Sequence, residues 1–258
     1  MKVRLRLSLK LISKSNVMPL CHQKNLTAAV FNTFSNIEKD FMYSEDANLD
    51  NFQEKHIKLL NFSKILFPFG GWRVEGDRIL LLCDTVQLVV NIDLKNATEE
   101  FLKGIILLQK LSVFDKTSQV DFMISHVNFT YEHAKTETLE MKTLSPMVIT
   151  KKNQYGNDVF LSPKSEEYQK YLLINLMEKY YNLNKTLPND WKHYPYEFEV
   201  TSTEIKQRGI YTDISHEEVV IGHEFSFKLR APKELLEIGL TTGFGKQNWM
   251  GFGCVQLV

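Results

Sequence analysis

A chain of 258 residues, 43% hydrophobic and 24% charged, has the balance of an ordinary soluble globular protein, sized for one large domain or two common ones. Lys plus Arg and Asp plus Glu both total 31, so the net charge of zero supplies no overall field for nucleic acid, and any RNA site must be a local basic patch. Cys21, Cys83 and Cys254 are widely separated with no Cys-x-x-Cys pair, which argues against a disulfide framework and a zinc site.

Val3, Leu5, Leu7 and Leu9 alternate with Lys2, Arg4, Arg6, Ser8 and Lys10, the period of a strand with one buried face. The other face is cationic, open either to solvent or to RNA. This opening stretch has no continuous apolar core and does not read as a signal peptide. No apolar run anywhere approaches the roughly 18 residues of a membrane span, so no membrane partner is expected, and the scattered cysteines point to a cytoplasmic location.

After a loop with Pro19 and His22, Leu26, Val30, Phe34, Ile37 and Phe41 recur at helical spacing, with capping residues expected in Asn25-Leu26-Thr27. The segment from Tyr43 to Asn51, with Glu45, Asp46 and Asp50, reads as a loop. Strand character returns over 57–67, then the turn Phe69-Gly70-Gly71-Trp72, then strands over 78–83 and 86–94. Residues 97–110 read as a helix, with Phe101, Ile105 and Leu108 on one side, and 120–130 as extended chain.

The second half repeats that order. Residues 139–151 read as extended, and Tyr168, Leu172, Leu173, Leu176 and Tyr180 mark a helix over 165–182, broken at Leu187-Pro188-Asn189-Asp190. Strands are expected over 196–205, 210–214 and 219–229, a short helix over 232–237, and a closing strand over 254–258. Each half thus reads strand–helix–strand–strand–helix–strand, the ferredoxin-like pattern. The expected fold is α+β, with two tandem ferredoxin-like, RRM-like domains over 1–135 and 136–258. No sequence repeat is visible, so the duplication rests on element order.

Four of the twelve glycines fall in Gly243-Phe244-Gly245-Lys246-Gln247-Asn248-Trp249-Met250-Gly251-Phe252-Gly253. A dinucleotide-binding turn needs a third glycine where Asn248 stands and a helix inside a βαβ unit; a phosphate loop needs Ser or Thr where Gln247 stands. Glycine-rich backbone with free N–H groups suits phosphate oxygens, Lys246 adds a cation, and Trp249 offers a face for a base. The plainer reading is a hairpin that needs tight turns.

With both Gly-Phe-Gly triplets near the C-terminus, the stretch resembles the glycine-rich loop of the RAMP superfamily. Within it, the chain resembles the CRISPR-associated endoribonucleases (the Cas-six family) that cut repeat RNA into guide RNAs. Thr143-Leu144-Ser145-Pro146-Met147-Val148 is similar to the family at the corresponding point. The resemblance implies tandem ferredoxin-like domains and metal-independent endonuclease chemistry without a cofactor. Its implied partners are CRISPR precursor and guide RNA, with an effector complex and a homodimer as further options.

Metal-free RNA cleavage uses the 2′-hydroxyl as nucleophile. The protein holds the strand in line, moves one proton off and another onto the leaving 5′-oxygen, and stabilises the added charge; histidine and lysine suit these roles. The histidines are His22, His56, His126, His133, His193, His216 and His223, without a His-Glu-x-x-His, and no metal site is expected. In the resembling family the general acid/base histidine follows the first helix and shortly precedes the next strand. That position implies His56, in Glu54-Lys55-His56-Ile57-Lys58, with Lys58 as the assisting lysine at a shorter spacing. A tyrosine that assists in some members is replaced by Phe31. His22 is the second choice and Tyr43 a weaker one. From residue type alone, a histidine flanked by lysines is simply solvated, and His22 reads as a capping or core histidine.

RNA-contact candidates are Gly243, Gly245, Lys246, Gln247, Asn248, Gly251 and Gly253, then Lys151 and Lys152 at a hairpin tip, with Arg4 and Arg6 weaker. Charged turns are ordinarily only solvated. Two other functional classes stay open: a non-catalytic repeat-RNA-binding subunit, and a structural subunit of a guide-RNA complex.

Overall fold

A computed structural model describes residues 3–33, 60–92, 104, 109–189, 191–211 and 219–258. Packing divides the chain into two compact units, Met1–Leu60 with Lys64–Thr130, and Asn61–Ser63 with Tyr131–Val258.

The first unit contains β1 (Val3–Leu11), β2 (Val17–Pro19), α1 (Gln23–Phe31), the start of β3 (Leu60–Phe62), β4 (Trp72–Glu75), β5 (Arg78–Leu81), β6 (Thr85–Ile92), β7 (Lys110–Phe114) and β8 (Gln119–Thr130). The main sheet runs β3-β6-β1-β8-β7, and a second, smaller sheet runs β2-β5-β4. β1 is central and antiparallel to both neighbours, with Leu5 opposite Val90 on one side and Phe129 on the other. The order second–third–first–fourth strand is that of a ferredoxin-like unit, with β7 added at the edge.

The alternation in β1 holds, since Val3, Leu5, Leu7 and Leu9 are all buried. Its other face is not an open cationic row. Arg4 is buried, and Arg6 gives its Nη1 to the Gln87 Oε1 at 3.0 Å, leaving Lys10 exposed. α1 starts at Gln23 with His22 at the cap position and no side-chain cap. Asn25 and Thr27 therefore lie inside the helix rather than before it. Thr27 Oγ1 bonds back to the Gln23 carbonyl at 2.8 Å, a common use of threonine within a helix. Lys110, read as a helix end, instead opens β7; the rest of that segment lies largely outside the described residues.

The second unit contains β9 (Thr138–Thr143), β10 (Thr150–Lys152), β11 (Asp158–Phe160), α2 (Tyr168–Asn184), β12 (Glu197–Val200), β13 (Lys206–Tyr211), β14 (Val219–Glu224), β15 (Ser226–Arg230), α3 (Lys233–Thr242) and β16 (Val255–Leu257). Its sheet runs β12-β15-β9-β16, all antiparallel, again the ferredoxin-like order. Two hairpins, β10–β11 and β13–β14, are inserted into that frame.

Met141, Phe227 and Leu229 from the sheet pack with Leu172 and Leu176 of α2 and Leu235, Leu236 and Leu240 of α3. Each such burial is worth roughly 1.5–3 kcal/mol, enough in sum to hold both helices on one face. The stretch 219–229 is not one strand. β14 pairs with β13, β15 pairs with β12 and β9, and Phe225 between them exchanges bonds with Thr143 instead. The stretch 139–151 is likewise interrupted, at 144–149, where Pro146 has no N–H for a ladder.

Candidate functional site

The glycine-rich loop begins where α3 ends. Gly243 closes the helix with its N–H on the Gly239 carbonyl at 2.9 Å and a φ of +87°, a conformation that favours glycine. Two phenylalanines anchor the loop. Phe244 is fully buried, 5.8 Å edge-on from the Phe227 ring, and lies against Gly239, where any side chain would collide with it. Phe252 is fully buried in a satellite cluster with Val148, Val220 and Met250. Trp249 packs partly on that same cluster, so only part of its surface remains open.

The loop sits on residues 144–148. The Leu144 N–H reaches the Cys254 carbonyl at 2.7 Å, and the Cys254 N–H reaches Ser145 Oγ at 2.9 Å. Gly253 donates to the Pro146 carbonyl at 2.8 Å, and Lys246 to the Val148 carbonyl at 2.8 Å. A Cβ on Gly245 would strike that Val148 oxygen, and one on Gly253 would strike the Phe244 oxygen. The two stretches that carried the family resemblance thus pack as a single element.

This revises the reason for the glycines. The N–H groups of Phe244, Lys246, Met250, Gly251 and Gly253 all donate within the protein, so the loop is not an open row of free donors. At Gly245 and Gly253 the missing side chain admits the chain's own backbone.

Beneath the loop lies a polar core. Lys179, on α2, places Nζ 2.6 Å from the Gly243 carbonyl, 2.7 Å from the Gly245 carbonyl and 2.5 Å from Asn248 Oδ1. Lys179 is half-buried, and desolvation around its ammonium pushes its pKa down to about 7 against a weaker upward pull from Glu178. Asn248 Nδ2 donates to the Phe252 carbonyl at 2.9 Å, and the fully buried Asn61 donates to that same oxygen at 2.7 Å. Sequence reasoning missed Lys179 and Asn61. The signal for Lys179 was present: Leu172, Leu176 and then position 179 continue one helical stripe, and a lysine stands where an apolar residue belongs.

The candidate lysines at 151, 152 and 246 are engaged. Lys246 Nζ bonds Thr150 Oγ1 at 2.6 Å and pairs with Asp158 at 3.4 Å, while Lys152 pairs with the other Asp158 oxygen at 3.1 Å. Lys151 pairs with Glu167. These lysines are half-buried or exposed, and pairs of that kind are worth only about 0–1 kcal/mol, so each is cheap to release to a phosphate. Gln247 is half-buried with φ +58° at the crest of the loop.

His56, Lys58 and Tyr43 lie outside the described residues. His22 is buried. Its Nδ1 lies 3.2 Å from the Pro19 carbonyl and 3.1 Å from the Leu20 carbonyl, which assigns the proton to Nδ1. Burial holds its pKa down at about 4, so it is neutral and suited to tying the loop before α1 rather than to exchanging protons near neutrality. Phe31 is buried in α1 and offers no proton. Among the described residues no group of three or more His, Cys, Asp or Glu converges to hold a metal ion, and no helix is long and apolar enough to cross a membrane.

The family model described as CRISPR associated protein Cas6, C-terminal, matches residues 129–257, the segment holding both the glycine-rich loop and its seat. The chain belongs to the Cas6 family. It is 26% identical over 259 aligned positions, covering 99% of this chain and 93% of the other, to the CRISPR-associated endoribonuclease Cas6 1 of Methanocaldococcus jannaschii. The solved structure of a Cas6-related gene product of Pyrococcus furiosus superposes with a TM-score of 0.81 at 18% identity, covering 100% of this chain and 99% of that one. A structure described as an RAMP protein binding different RNA substrates gives 0.78 at 16% identity, with 99% of both chains covered. At such identities these structures speak for the fold, the tandem ferredoxin-like arrangement of Cas6 and RAMP proteins.

Proposed function

We propose that this Cas6-family chain is an endoribonuclease that cuts CRISPR precursor RNA once within each repeat to release guide RNAs. The observation that carries the reading is the glycine-rich loop seated on residues 144–148 inside the segment that matches the Cas6 C-terminal family. Support comes from the relative named an endoribonuclease and from the RAMP structure described as binding RNA. Lys246, Gln247 and Asn248, with Gly243, Gly245, Gly251 and Gly253 shaping their backbone, form the clamp for the RNA strand, and Lys151 and Lys152 contact it from the β10–β11 hairpin.

The cut itself is metal-independent in this reading. The 2′-hydroxyl attacks the adjacent phosphorus and the 5′-oxygen leaves, giving a 2′,3′-cyclic phosphate and a 5′-hydroxyl. His56 moves the proton and Lys58 steadies the charge on the phosphorane-like transition state. The protein acts in the cytoplasm and passes its product to an effector complex.

Phe31 favours a second reading, in which the chain binds repeat RNA without cutting it, because a tyrosine at that place would bring a further proton-transfer group. Incubation of the purified protein with end-labelled repeat RNA separates the two. The enzyme shortens the RNA to one discrete product, whereas a binding subunit shifts it at full length.

A further inference from the structure

Burying an ammonium costs several kcal/mol unless it is well paired, so an enclosed lysine needs a reason. The three hydrogen bonds of Lys179 take up its three N–H donors, and all three acceptors are neutral: two loop carbonyls and one amide oxygen. Among the described residues the carboxylate that acts on it is Glu178, its exposed neighbour on the same helix. A cation therefore stands beneath the loop with its charge uncompensated by its hydrogen-bond partners. Two of its acceptors are the carbonyls that flank Phe244, and the third is the side chain of Asn248, whose amide in turn fixes the second triplet through the Phe252 carbonyl.

We infer that Lys179 is the positioning residue of the RNA clamp, holding both glycine triplets in register and lending the loop surface a positive field that a bound phosphate completes. This rests on the proposal that the loop binds repeat RNA. A positive group under a low-dielectric surface attracts an anion more strongly than the same charge in water. Binding of a phosphate above it also favours the charged amine, so RNA binding is linked to proton uptake at Lys179 when the pH exceeds about 7. Among the described residues the charged group acting on it is Glu178 on its own helix, while the loop's own cation, Lys246, is paired with Asp158.

The test uses the full chain with Lys179→Met and Lys179→Arg, reading repeat-RNA affinity across pH 6.5 to 9, KM against kcat, and amide hydrogen exchange over residues 243–253. Lys179→Met should bind RNA about tenfold or more weakly, the scale of losing a charge-assisted hydrogen bond, with the loss falling on KM rather than kcat. Lys179→Arg should restore most of the affinity and flatten the decline in binding that the native chain shows above neutral pH. Native affinity in Lys179→Met, or an Arg variant as weak as the Met variant, overturns the inference. If the native chain binds no repeat RNA, the proposed function fails, and the RNA role of Lys179 with it. Exchange then still reads its hold on the loop, which is refuted if the 243–253 amides of Lys179→Met exchange as slowly as native.

Discussion

Phe244 and Gly253 stand in the two glycine triplets and are bonded to each other, the Phe244 N–H donating to the Gly253 carbonyl at 2.9 Å. The approach is so close that a Cβ on Gly253 would strike the Phe244 carbonyl oxygen. The same requirement holds where Gly245 meets Val148. Gly253→Ala and Gly245→Ala should each cost about 3 kcal/mol or more, since both a positive φ and a backbone collision oppose the side chain. Gly156 also has a positive φ, +81°, but open space around it, so Gly156→Ala should cost only about 1 kcal/mol. Denaturant melts of the three variants give the comparison.

Asn61 and Asn248 converge on one carbonyl oxygen, that of Phe252. Asn61→Ala should destabilise the protein by about 1–3 kcal/mol, the cost of a buried hydrogen bond removed. Asn61→Asp should be worse than alanine at neutral pH, because it sets a buried carboxylate against a carbonyl. Melting both variants at pH 7 tests the order.

The pH dependence from His22 has a definite sign. Its pKa falls from 6.5 to about 4 on folding, so between those values the unfolded chain holds more protons than the folded one. The stability from burying a neutral imidazole is therefore complete above pH 6.5 and is lost as the pH falls toward 4, about 3 kcal/mol in total. His22→Asn keeps an amide donor in the turn and removes the titration. Its unfolding free energy should decline less between pH 6.5 and 4.5 than that of the native chain.

Asp158 sits between Lys246 and Lys152 as a phosphate would. Lys246→Met should weaken repeat-RNA binding uniformly across sequences and lower the salt slope by about one. Asp158→Asn should act oppositely, strengthening binding to unrelated RNA as well. Filter-binding titrations at several salt concentrations measure both.

Much of the frame was legible because periodicity carries it. The alternation through Phe227 and Leu229 places β15, and Leu172 and Leu176 place α2. What escaped depends on groups distant in sequence. One extended stretch, 219–229, divides between two sheets because Phe225 turns its backbone to Thr143, a residue more than eighty positions earlier. Asn25 and Thr27 looked like caps but lie within α1, since the helix starts at Gln23. The glycine loop announced the family, yet its meaning as a self-packed element required Val148, Pro146 and Lys179, none of which is near it in the chain. Lys179 is hard to read from sequence because a helical lysine ordinarily reaches water, even beside an apolar stripe.

The central claim is that this Cas6-family chain cuts repeat RNA by metal-free chemistry through His56. The most direct measurement is single-turnover cleavage of end-labelled repeat RNA in EDTA by the native chain and by His56→Ala, with the product ends identified. The account predicts one cut per repeat by the native chain, leaving a 2′,3′-cyclic phosphate and a 5′-hydroxyl. It predicts a loss of rate of at least about 100-fold in His56→Ala, with RNA binding retained. Cleavage that stops in EDTA, or that proceeds at the native rate in His56→Ala, would contradict it.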